Sequence, residues 1–431
     1  MTRRTVSSTA PCPVAPDQVW AKVSDFCNPW HPAIATMRAE QDERGSIIRA
    51  FTVQGETTTY RERLTYLSHT ERTMAYTHVA GIAGVDRYDA RLVITETAAG
   101  GSIISMTATL SAPAARADDI AAGTQAIFDT GVATIANSAL NSAPAGANPK
   151  DMTEHVPVET QFIDGLPQLA VSVTPAGSET LVLFLHGIGG ARENWERQLQ
   201  AVAPHARAAA LDLRGYGDST LGAAQTTIDD YCADILRVTE VLGARRLVLC
   251  GLSYGAWIAT SFAMRHPDRL AGLILSGGCT GMSEAGPDER EAFRISREIP
   301  LNEGQTPADF APAVVNVIAG PNAQDNVRGA LKKSMSAIPA ETYRDALRCF
   351  TNPLERFDFS RITTPVLLMT GEHDKLAPPQ EIKHVAERIF DAAPHPDVRF
   401  EIIADAGHVC NLERPARYEE HLIAFIRRVV G

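Results

Sequence analysis

The first 140 residues combine helical and strand-like spacing of apolar positions. Residues 16–23 have helical spacing. The next part of the chain has short alternating segments separated by turn residues, which are Ile47–Val53, Thr58–Tyr66, Arg72–Val79, Arg87–Thr95 and Ser102–Leu110. Residues 116–140 then repeat large apolar side chains at helical intervals in an alanine-rich stretch. Because no strand–helix–strand rhythm occurs here, the pattern predicts an α+β domain with an antiparallel sheet and a long final helix.

The chain beyond residue 154 has a different rhythm, in which near-continuous apolar segments alternate with amphipathic ones. The apolar segments are Leu181–Leu185, Ala208–Leu211, Leu247–Cys250, Leu270–Leu275, Val366–Thr370 and Val398–Ile402. The helical stretches between them include 192–203, 227–242, 254–265 and 380–390. This alternation predicts a mostly parallel sheet that helices cover on both faces. Residues 282–360 interrupt the rhythm with a long helical pattern, which predicts a lid inserted between two strands.

A boundary between the two patterns is expected near residue 150. The segment 141–149 reads Asn-Ser-Ala-Pro-Ala-Gly-Ala-Asn-Pro, which is the composition of a linker. Residues 1–150 carry 13 basic and 14 acidic side chains, so −10 of the net charge of −11 lies on the remainder. We therefore expect a first domain at 1–140, a linker at 141–153 and a second domain at 154–431 with its lid at about 282–360.

Composition narrows the possible partners and cofactors. The 51 acidic residues outnumber the 40 basic ones, which argues against nucleic acid or an anionic membrane surface as the main partner. The seven cysteines are scattered and form no C-x-x-C pair, so we expect no disulfide framework, no metal site and no cofactor. The N-terminus lacks the apolar segment of a signal peptide, and no apolar run approaches the ~18–20 residues that span a bilayer. We expect a soluble, cytoplasmic protein that inserts into no membrane, and the sequence specifies no oligomeric state.

The strongest catalytic signal is the G-x-S-x-G string Gly251-Leu252-Ser253-Tyr254-Gly255, which joins an apolar strand to a helix. In this motif the serine occupies a sharp, strained turn, so small residues must flank it two positions away on either side. The turn lifts the serine hydroxyl above the sheet at a helix N-terminus, where backbone donors can meet a developing oxyanion. We predict that Ser253 is a nucleophile. The alternative is a glycine-rich turn with an ordinary capping serine.

A second glycine-rich turn begins with His186-Gly187-Ile188, directly after an apolar strand and about 65 residues upstream of the serine. In sites of this kind the upstream turn supplies one backbone N–H group to the oxyanion. We assign the oxyanion hole to the N–H groups of Ile188 and Tyr254. His186 is an alternative base, but the expected role of its ring is to fix the loop through hydrogen bonds.

The general base for a serine nucleophile is a histidine that a carboxylate orients. Among the twelve histidines, His408 stands in the loop between the last strand and the last helix. Loops at the carboxyl ends of strands gather the site in an open α/β sheet, which favours His408. His373 is the alternative because it neighbours the candidate acids. His266, His384 and His421 lie at or within helices and are expected to be packed or solvated.

The orienting acid is expected in the loop after the strand 366–370. Both Glu372 and Asp374 fit this loop. We prefer Asp374 because it lies deeper in the turn, where the strand has already released the chain. The alternative loop at 276–281 contains no carboxylate. Along the chain the nucleophile Ser253 then comes first, the acid Asp374 second and the base His408 third, an order that is typical of one protein architecture.

Residues 155–431 resemble an α/β-hydrolase-fold enzyme. The resemblance is carried by His186-Gly187, Asp212-Leu213-Arg214-Gly215-Tyr216-Gly217-Asp218-Ser219, Gly251–Gly255, Asp374 and His408. Within that superfamily the chain is most similar to the 3-oxoadipate enol-lactonase-like and cofactor-free haloperoxidase/esterase group, which has a short helical lid. The D-x-R-G-x-G-x-S turn and the string His408-x-x-Asn411-x-Glu413-x-Pro415 carry this closer similarity. That group usually has a second glycine after the elbow, where this chain has Ala256 and Trp257, and we expect the Trp257 ring to pack the helix.

Residues 5–140 resemble the START-like SRPBCC superfamily, of the polyketide cyclase/dehydrase type. The matching residues are Val19-Trp20, Asp25-Phe26, Trp30-His31-Pro32, Gly45-Ser46-Ile47-Ile48-Arg49, Arg61-Glu62-Arg63-Leu64 and Tyr76. The resemblance implies a helix-grip fold, whose long C-terminal helix covers a curved sheet around an apolar cavity that binds sterol-, lipid- or polyketide-like molecules. His31, Glu62 and Arg63 are candidates for acid–base chemistry there. The alternative for Glu62 and Arg63 is a charged face on an exposed strand.

The leading hypothesis is a serine hydrolase that cleaves an ester or lactone of a mostly apolar small molecule with Ser253, His408 and Asp374. We expect the N-terminal domain to bind or process a related compound. One alternative is hydrolysis of a carbon–carbon bond in a 1,3-dicarbonyl compound. Relatives of that kind generally have Asn before the serine and Trp after the histidine, where this chain has Leu252 and Val409. Another alternative is a ligand-binding protein whose hydrolase module is degenerate.

Overall fold

The chain divides into two compact units in the structure, a computed structural model that describes residues 1–98, 100–140, 156–353 and 356–430. One unit comprises Met1–Met152 with His395–Glu401, and the other comprises Thr153–Pro394 with Ile402–Gly431. The linker predicted at 141–153 lies outside the described residues. No helix in the described ranges is both long enough and apolar enough to cross a membrane.

The first unit is an antiparallel sheet with one long helix against it. Its elements are β1 (Thr2–Cys12), α1 (Pro16–Val23), β2 (Ile34–Gln41), β3 (Ile47–Val53), β4 (Thr59–Ser68), β5 (Thr73–Ala80), β6 (Arg87–Glu96), β7 (Ser102–Ala112) and α2 (Ala114–Leu140). The strands pair in the order β1-β7-β6-β5-β4-β3-β2. Helix α2 packs on β1 and β7, where Phe128, Val132 and Ile135 of the helix join a core with alternate residues of the strands.

Two strands of this unit are absent from the sequence prediction. Strand β1 buries only Val6 and Cys12, and its other side chains are polar, small or exposed, so it has no strong apolar alternation. Strand β2 is an edge strand with no fully buried side chain. Strand β1 nevertheless pairs with β7 over its whole length, from Thr2 opposite Ala112 to Cys12 opposite Ser102. Its conformation is therefore set by a partner about 100 residues away rather than by its own pattern.

The second unit is a mostly parallel sheet covered by helices. Its elements are β8 (Glu159–Ile163), β9 (Leu169–Val173), β10 (Thr180–Leu185), α3 (Glu196–Val202), β11 (Arg207–Leu211), α4 (Ile228–Val241), β12 (Arg246–Leu252), α5 (Tyr254–Arg265), β13 (Leu270–Ser276), α6 (Pro287–Asn302), α7 (Pro307–Ile318), α8 (Asp325–Ser336), α9 (Ala340–Thr351), β14 (Val366–Gly371), α10 (Pro379–Ala392), α11 (Cys410–Glu413) and α12 (Pro415–Val430). Strand β15 (Val398–Ile403) is divided, because residues up to Glu401 group with the first unit and the last two with the second. Strands β14, β13, β12, β10 and β11 are parallel neighbours in that order, and β9 and β8 extend the sheet antiparallel.

The parallel strands explain why the sequence pattern is informative here. Every side chain of β10 and β14 is buried, as expected for strands that helices cover on both faces. Helices α6, α7, α8 and α9 fill the interval between β13 and β14, where the sequence predicts a helical insertion. The parallel direction places the loops after β10, β12, β13 and β14 at one edge of the sheet, which is where an open α/β sheet builds its site.

Candidate active site

Ser253 lies between β12 and α5 in a backbone conformation that residues other than glycine rarely adopt, with φ 55° and ψ −114°. Holding a non-glycine residue there costs of order 1–3 kcal/mol, and such strain concentrates at functional sites. Two close backbone approaches make the turn possible. A Cβ on Gly251 would lie 2.2 Å from the carbonyl oxygen of Gly255, and one on Gly255 would lie 2.3 Å from that of Leu185. The sequence spacing therefore produces a strained serine that side chains on either flank would prevent.

His408 and Asp374 contact each other beside this turn. Nδ1 of the His408 ring is 2.9 Å from Oδ2 of Asp374, and both side chains are almost fully buried. The loop after β14 supplies Asp374, and the loop after β15 supplies His408. The bond to a carboxylate fixes the ring with its proton on Nδ1 and leaves Nε2 free to accept a proton.

Four hydrogen bonds fix the Asp374 carboxylate. Oδ1 accepts the backbone N–H groups of Leu376 and Ala377 at 2.8 and 2.9 Å, and Oδ2 accepts the Thr370 hydroxyl at 3.3 Å as well as the His408 ring. Burial by itself raises the pKa of the Asp374 carboxyl, but the bond to His408, the charge of that ring and the two N–H groups outweigh it and lower the pKa. The carboxylate is therefore ionised at neutral pH, as an orienting acid must be.

The alternative acid and base lie elsewhere. The Glu372 side chain is 53% exposed, and its Oε2 accepts the backbone N–H of Asp405 at 2.9 Å. The His373 ring is 38% exposed and lies 3.9 Å from a carboxylate oxygen of Asp405. The structure thus brings Asp374, and not Glu372 or His373, to His408.

Ser253 and His408 both lie next to the segment that follows β13, although no hydrogen bond joins the two side chains in the described residues. The N–H of Ser253 donates to the carbonyl oxygen of Ser276 at 2.7 Å. A Cβ on Gly277 would lie 3.1 Å from Cε1 of the His408 ring, and one on Gly278 would lie 3.8 Å from Cα of Ser253. The histidine therefore borders Gly277, and the serine borders the next residue, Gly278. Nε2 of His408 is buried and has no hydrogen-bond partner among the described residues.

The loop after β10 is held against Ser253 by the His186 ring. Its Nδ1 donates to the carbonyl of Gly187 at 2.8 Å, while its Nε2 accepts the N–H of Leu213 at 3.1 Å. Both nitrogens are therefore engaged, and burial lowers the pKa of the ring despite the nearby Asp212 carboxylate. These contacts give His186 a role in fixing the loop. A Cβ on Gly187 would lie 3.3 Å from Cβ of Ser253, so the Gly187–Ile188 peptide borders the serine.

The two groups assigned to the oxyanion hole occupy suitable backbone positions. Tyr254 opens helix α5, and the first N–H groups of a helix have no acceptor within it. The Ile188 N–H shares a peptide plane with the Gly187 carbonyl, which accepts Nδ1 of His186 at 2.8 Å, and the next carbonyl, that of Ile188, accepts the Tyr216 hydroxyl at 3.1 Å. Backbone donors at these positions can stabilise negative charge that develops on a carbonyl bound at Ser253.

Arg192 is a structural partner of the site that the sequence pattern did not reveal. Its guanidinium forms an ion pair with the fully buried Asp212 and bonds Asp218 at 2.6 Å, and its backbone N–H donates to Asp212 at 2.9 Å. These contacts hold the turn that contains Asp212 against the segment that follows the His186–Ile188 turn. An arginine twenty residues before Asp212 carries no local signal of this contact, which depends on the parallel pairing of β10 with β11.

Aromatic side chains enclose the helix that follows the serine. The Trp257 ring is 1% exposed, donates through Nε1 to the Ser283 hydroxyl at 2.9 Å and has its centroid 5.4 Å from that of Tyr254. Phe350 of α9 lies 5.3 Å from Trp257 and 5.5 Å from Tyr254, and Phe293 of α6 lies 5.9 Å from Phe350. Trp257 therefore packs the helix, and the inserted helices contribute an apolar cluster to the same region.

In the first unit, the candidate Glu62 is buried and paired with an arginine. The Glu62 side chain is 10% exposed and accepts Nε of Arg49 at 2.7 Å, so it does not lie on an exposed face. The Arg49 guanidinium also lies 4.5 and 4.4 Å from the ring centroids of Phe26 and Tyr76. The sequence analysis proposed Glu62 but not Arg49, its partner across the β3–β4 ladder.

The remaining polar candidates of this unit are His31 and Arg63. The His31 ring bonds the carbonyl of Ile127 at 3.0 Å and the N–H of Ala33 at 3.1 Å, so both of its nitrogens are engaged. Arg63 is 3.8 Å from a carboxylate oxygen of Asp42. Neither contact leaves the kind of free titratable group that acid–base chemistry requires. Within the described parts of the chain, no group of three His, Cys, Asp or Glu side chains is arranged to hold a metal ion.

Two family models match the chain. The model of the alpha/beta hydrolase fold matches residues 180–415, and the model described as polyketide cyclase / dehydrase and lipid transport matches residues 3–139. The chain therefore belongs to the alpha/beta hydrolase fold family and is a hydrolase, with an N-terminal domain of the SRPBCC type. The predicted fold class and enzyme class are confirmed.

Individual relatives cover the hydrolase part of the chain. A putative carbamate hydrolase of Cronobacter turicensis is 24% identical over 60% of this chain and 94% of its own length. The 3-oxoadipate enol-lactonase 1 of Acinetobacter baylyi is 21% identical over 61% of this chain and 94% of its own length. Among solved structures, a thermophilic esterase from Thermogutta terrifontis is 25% identical, with a TM-score of 0.56 over 63% of this chain and 100% of the esterase.

Proposed function

We propose that the protein cleaves a carboxylic ester or lactone of a small molecule with a Ser253–His408–Asp374 triad. Ser253 attacks the substrate carbonyl while Nε2 of His408 takes the hydroxyl proton. Asp374 holds the imidazole in position and stabilises its charged form. The N–H groups of Ile188 and Tyr254 stabilise the oxyanion. The protonated histidine then gives its proton to the leaving alkoxide, and water releases the acid by the same route.

One observation carries this proposal more than any other. His408 has one ring nitrogen bonded to a buried carboxylate, while its other nitrogen is buried with no hydrogen-bond partner in the part of the chain that the structure describes, near the strained turn at Ser253. A buried polar atom without a hydrogen bond is costly, and a catalytic role is one of the recognised reasons for such an atom. Attack by Ser253 on a bound ester supplies that partner.

The proposed substrate class rests on the relatives and on the inserted helices. The relatives include proteins named as an esterase, an enol-lactonase and putative carbamate hydrolases. The insertion contributes Phe293 and Phe350 next to Tyr254, which favours a mostly apolar pocket. An ester or lactone is the first choice, and a carbamate is the second because several relatives are named as putative carbamate hydrolases.

A matched substrate panel tests the proposed function. We expect the purified protein to hydrolyse aryl and alkyl esters or lactones with saturable kinetics, and a fluorophosphonate to label Ser253 stoichiometrically and abolish this activity. The panel should include a carbamate and a 1,3-dicarbonyl compound of the same acyl group. Faster cleavage of the carbon–carbon bond would replace the ester proposal, and a lack of any fluorophosphonate adduct would support a degenerate hydrolase module instead.

We also propose that the N-terminal domain binds a compound related to the hydrolase substrate. The match to a polyketide cyclase and lipid transport model supports a ligand-binding role. The buried Arg49–Glu62 pair places charged groups among the rings of Phe26 and Tyr76, where they would orient a ligand. A second site on the same chain would also hold product or precursor at a high local concentration.

Calorimetry on the full chain tests this second site. The full chain is needed because 395–401 groups with the first unit. We expect the inactive variant Ser253→Ala to bind two molecules of a substrate or product per chain, and Arg49→Met with Glu62→Met to remove one of them. Replacing a buried ion pair by apolar residues of similar volume is often neutral for stability, so the double variant should fold. A stoichiometry of one in Ser253→Ala alone would refute the role.

A further inference from the structure

Glu413 is a buried carboxylate that the proposed mechanism leaves without a role. It ends the short helix α11, five residues after His408, and is 5% exposed. Its Oε2 accepts two backbone N–H groups, that of Gly320 at 2.8 Å and that of Gly407 at 3.1 Å. Oε1 is buried and has no hydrogen-bond partner in the described ranges, and no Lys, Arg or His of those ranges forms an ion pair with Glu413.

This arrangement is unfavourable on general grounds. Removing a carboxylate from water costs several kcal/mol unless a cation or a full set of hydrogen bonds replaces the solvent. Two backbone donors on one oxygen compensate only part of that cost. The adjacent Arg414 offers no help because its guanidinium pairs with Asp405 and its Nη1 donates to the Glu413 carbonyl. The role of Glu413 is therefore to be found in the two backbone segments whose N–H groups it accepts.

The two donors lie at the catalytic histidine and at the inserted helices. Gly407 directly precedes His408 in the chain, and Gly320 lies two residues after the end of α7. The N–H of His408 itself donates to the carbonyl of Ile318, the last residue of α7, at 2.8 Å. The backbones approach so closely that a Cβ on Gly407 would lie 2.4 Å from the nitrogen of Gly320. Glu413 therefore joins two segments that are about 90 residues apart in sequence.

We propose that Glu413 is a positioning residue that fixes the backbone of His408 against the end of α7, so that the imidazole keeps its alignment between Asp374 and Ser253. This inference rests on the proposed function. Asp374 restrains only the ring of His408, whereas Glu413 and Ile318 restrain its main chain. Both restraints are needed because a misplacement of about 1 Å in a catalytic group can cost about 10²-fold in rate. Through the same carboxylate, the position of α7 and the geometry of the triad are coupled.

Two conservative variants distinguish a role for the position of the Glu413 side chain from a role for its charge. Glu413→Gln keeps the side-chain length and an oxygen that can accept both N–H groups, but it loses the charge. Glu413→Asp keeps the charge and retracts the carboxylate by one methylene, so it cannot reach both donors. If Glu413 acts through position, Glu413→Gln should keep kcat within about threefold of wild type, and Glu413→Asp should lose on the order of 10²-fold in kcat with KM within about threefold.

The measurements are steady-state kinetics on the best ester or lactone, the rate at which a fluorophosphonate modifies Ser253, and thermal unfolding of each variant. The matched controls are Glu420→Gln and Glu420→Asp, because Glu420 is exposed on α12 and pairs with the exposed Arg417 at 3.1 Å. We expect these controls to behave like wild type. The Glu413→Asp variant should modify Ser253 as slowly as it turns over substrate, while it still unfolds cooperatively.

Other results would overturn the inference. Higher activity in Glu413→Asp than in Glu413→Gln would assign Glu413 an electrostatic role, and wild-type kinetics in both variants would leave it with no role in catalysis. A rise in KM with kcat unchanged would indicate a role in substrate binding. If the wild-type protein neither hydrolyses an ester nor reacts with a fluorophosphonate, the proposed function fails, which is a different outcome from an active enzyme whose Glu413 variants are unaffected.

Discussion

Replacing Ser253 with alanine should lower kcat on the best ester or lactone by several orders of magnitude, on the order of 10⁶ where triad members act as a unit. The variant loses the only proposed nucleophile, while the oxyanion N–H groups of Ile188 and Tyr254 and the binding surface remain. We expect KM or the dissociation constant of the substrate to change little, because the hydroxyl contributes to bond formation rather than to binding. Steady-state and single-turnover kinetics check the result.

Ser253→Ala should also fold like wild type. The side chain is only partly buried, and the alanine keeps the Cβ and the N–H that donates to Ser276. The strained φ of 55° persists in the variant, so its thermal midpoint should match that of wild type within a few degrees. Hydrolysis at the wild-type rate by the folded variant would remove Ser253 from the mechanism.

Asp374→Asn should lower kcat by about 10⁴, the loss measured for the equivalent change in the best-studied serine triad. An asparagine in this position can present an N–H₂ group to His408, which favours the wrong tautomer and leaves the charged imidazole of the transition state without a carboxylate. It also removes the acceptor for two backbone N–H groups if the amide turns the other way. Kinetics with a neutral ester measure the loss.

Glu372→Gln is the matched control for that substitution. Glu372 lies two residues away in the same loop, but its carboxylate is half exposed and bonds the backbone of Asp405 rather than His408. We expect less than a tenfold change in kcat, because an exposed carboxylate makes a small electrostatic contribution. If Glu372→Gln were the more damaging of the two changes, the orienting role would move to Glu372.

Local spacing was sufficient to predict part of the site. The turn at Ser253 requires two small residues at fixed positions within five, so the string itself specifies the geometry. Local spacing also predicted the long helix α2, through its helical periodicity. It predicted the buried parallel strands because an uninterrupted apolar run has few alternative conformations in a folded protein. The preference for Asp374 over Glu372 also came from position in a loop, and the structure places Asp374 on His408.

Contacts that join distant segments could not be predicted in this way. The pairing of Arg49 with Glu62, of Arg192 with Asp212 and of Glu413 with Gly320 each depends on where strands and helices meet. A charged residue in sequence looks the same whether it is exposed or paired in the interior, and most charged residues are exposed. For Glu62, the sequence therefore left open both acid–base chemistry and a charged face on an exposed strand.

The sequence by itself determined the two-domain organisation, the class of each domain and the identity of the candidate nucleophile, base and acid. These follow from periodicity and from motifs whose residues are neighbours in the chain or occupy loops at strand ends. The tertiary structure alone decided which histidine nitrogen is left without a partner, how the loops are held and that strand β1 forms at all. The physical reason is that burial and hydrogen-bond satisfaction depend on residues far apart in sequence, and the folded arrangement is what brings them within 3 Å.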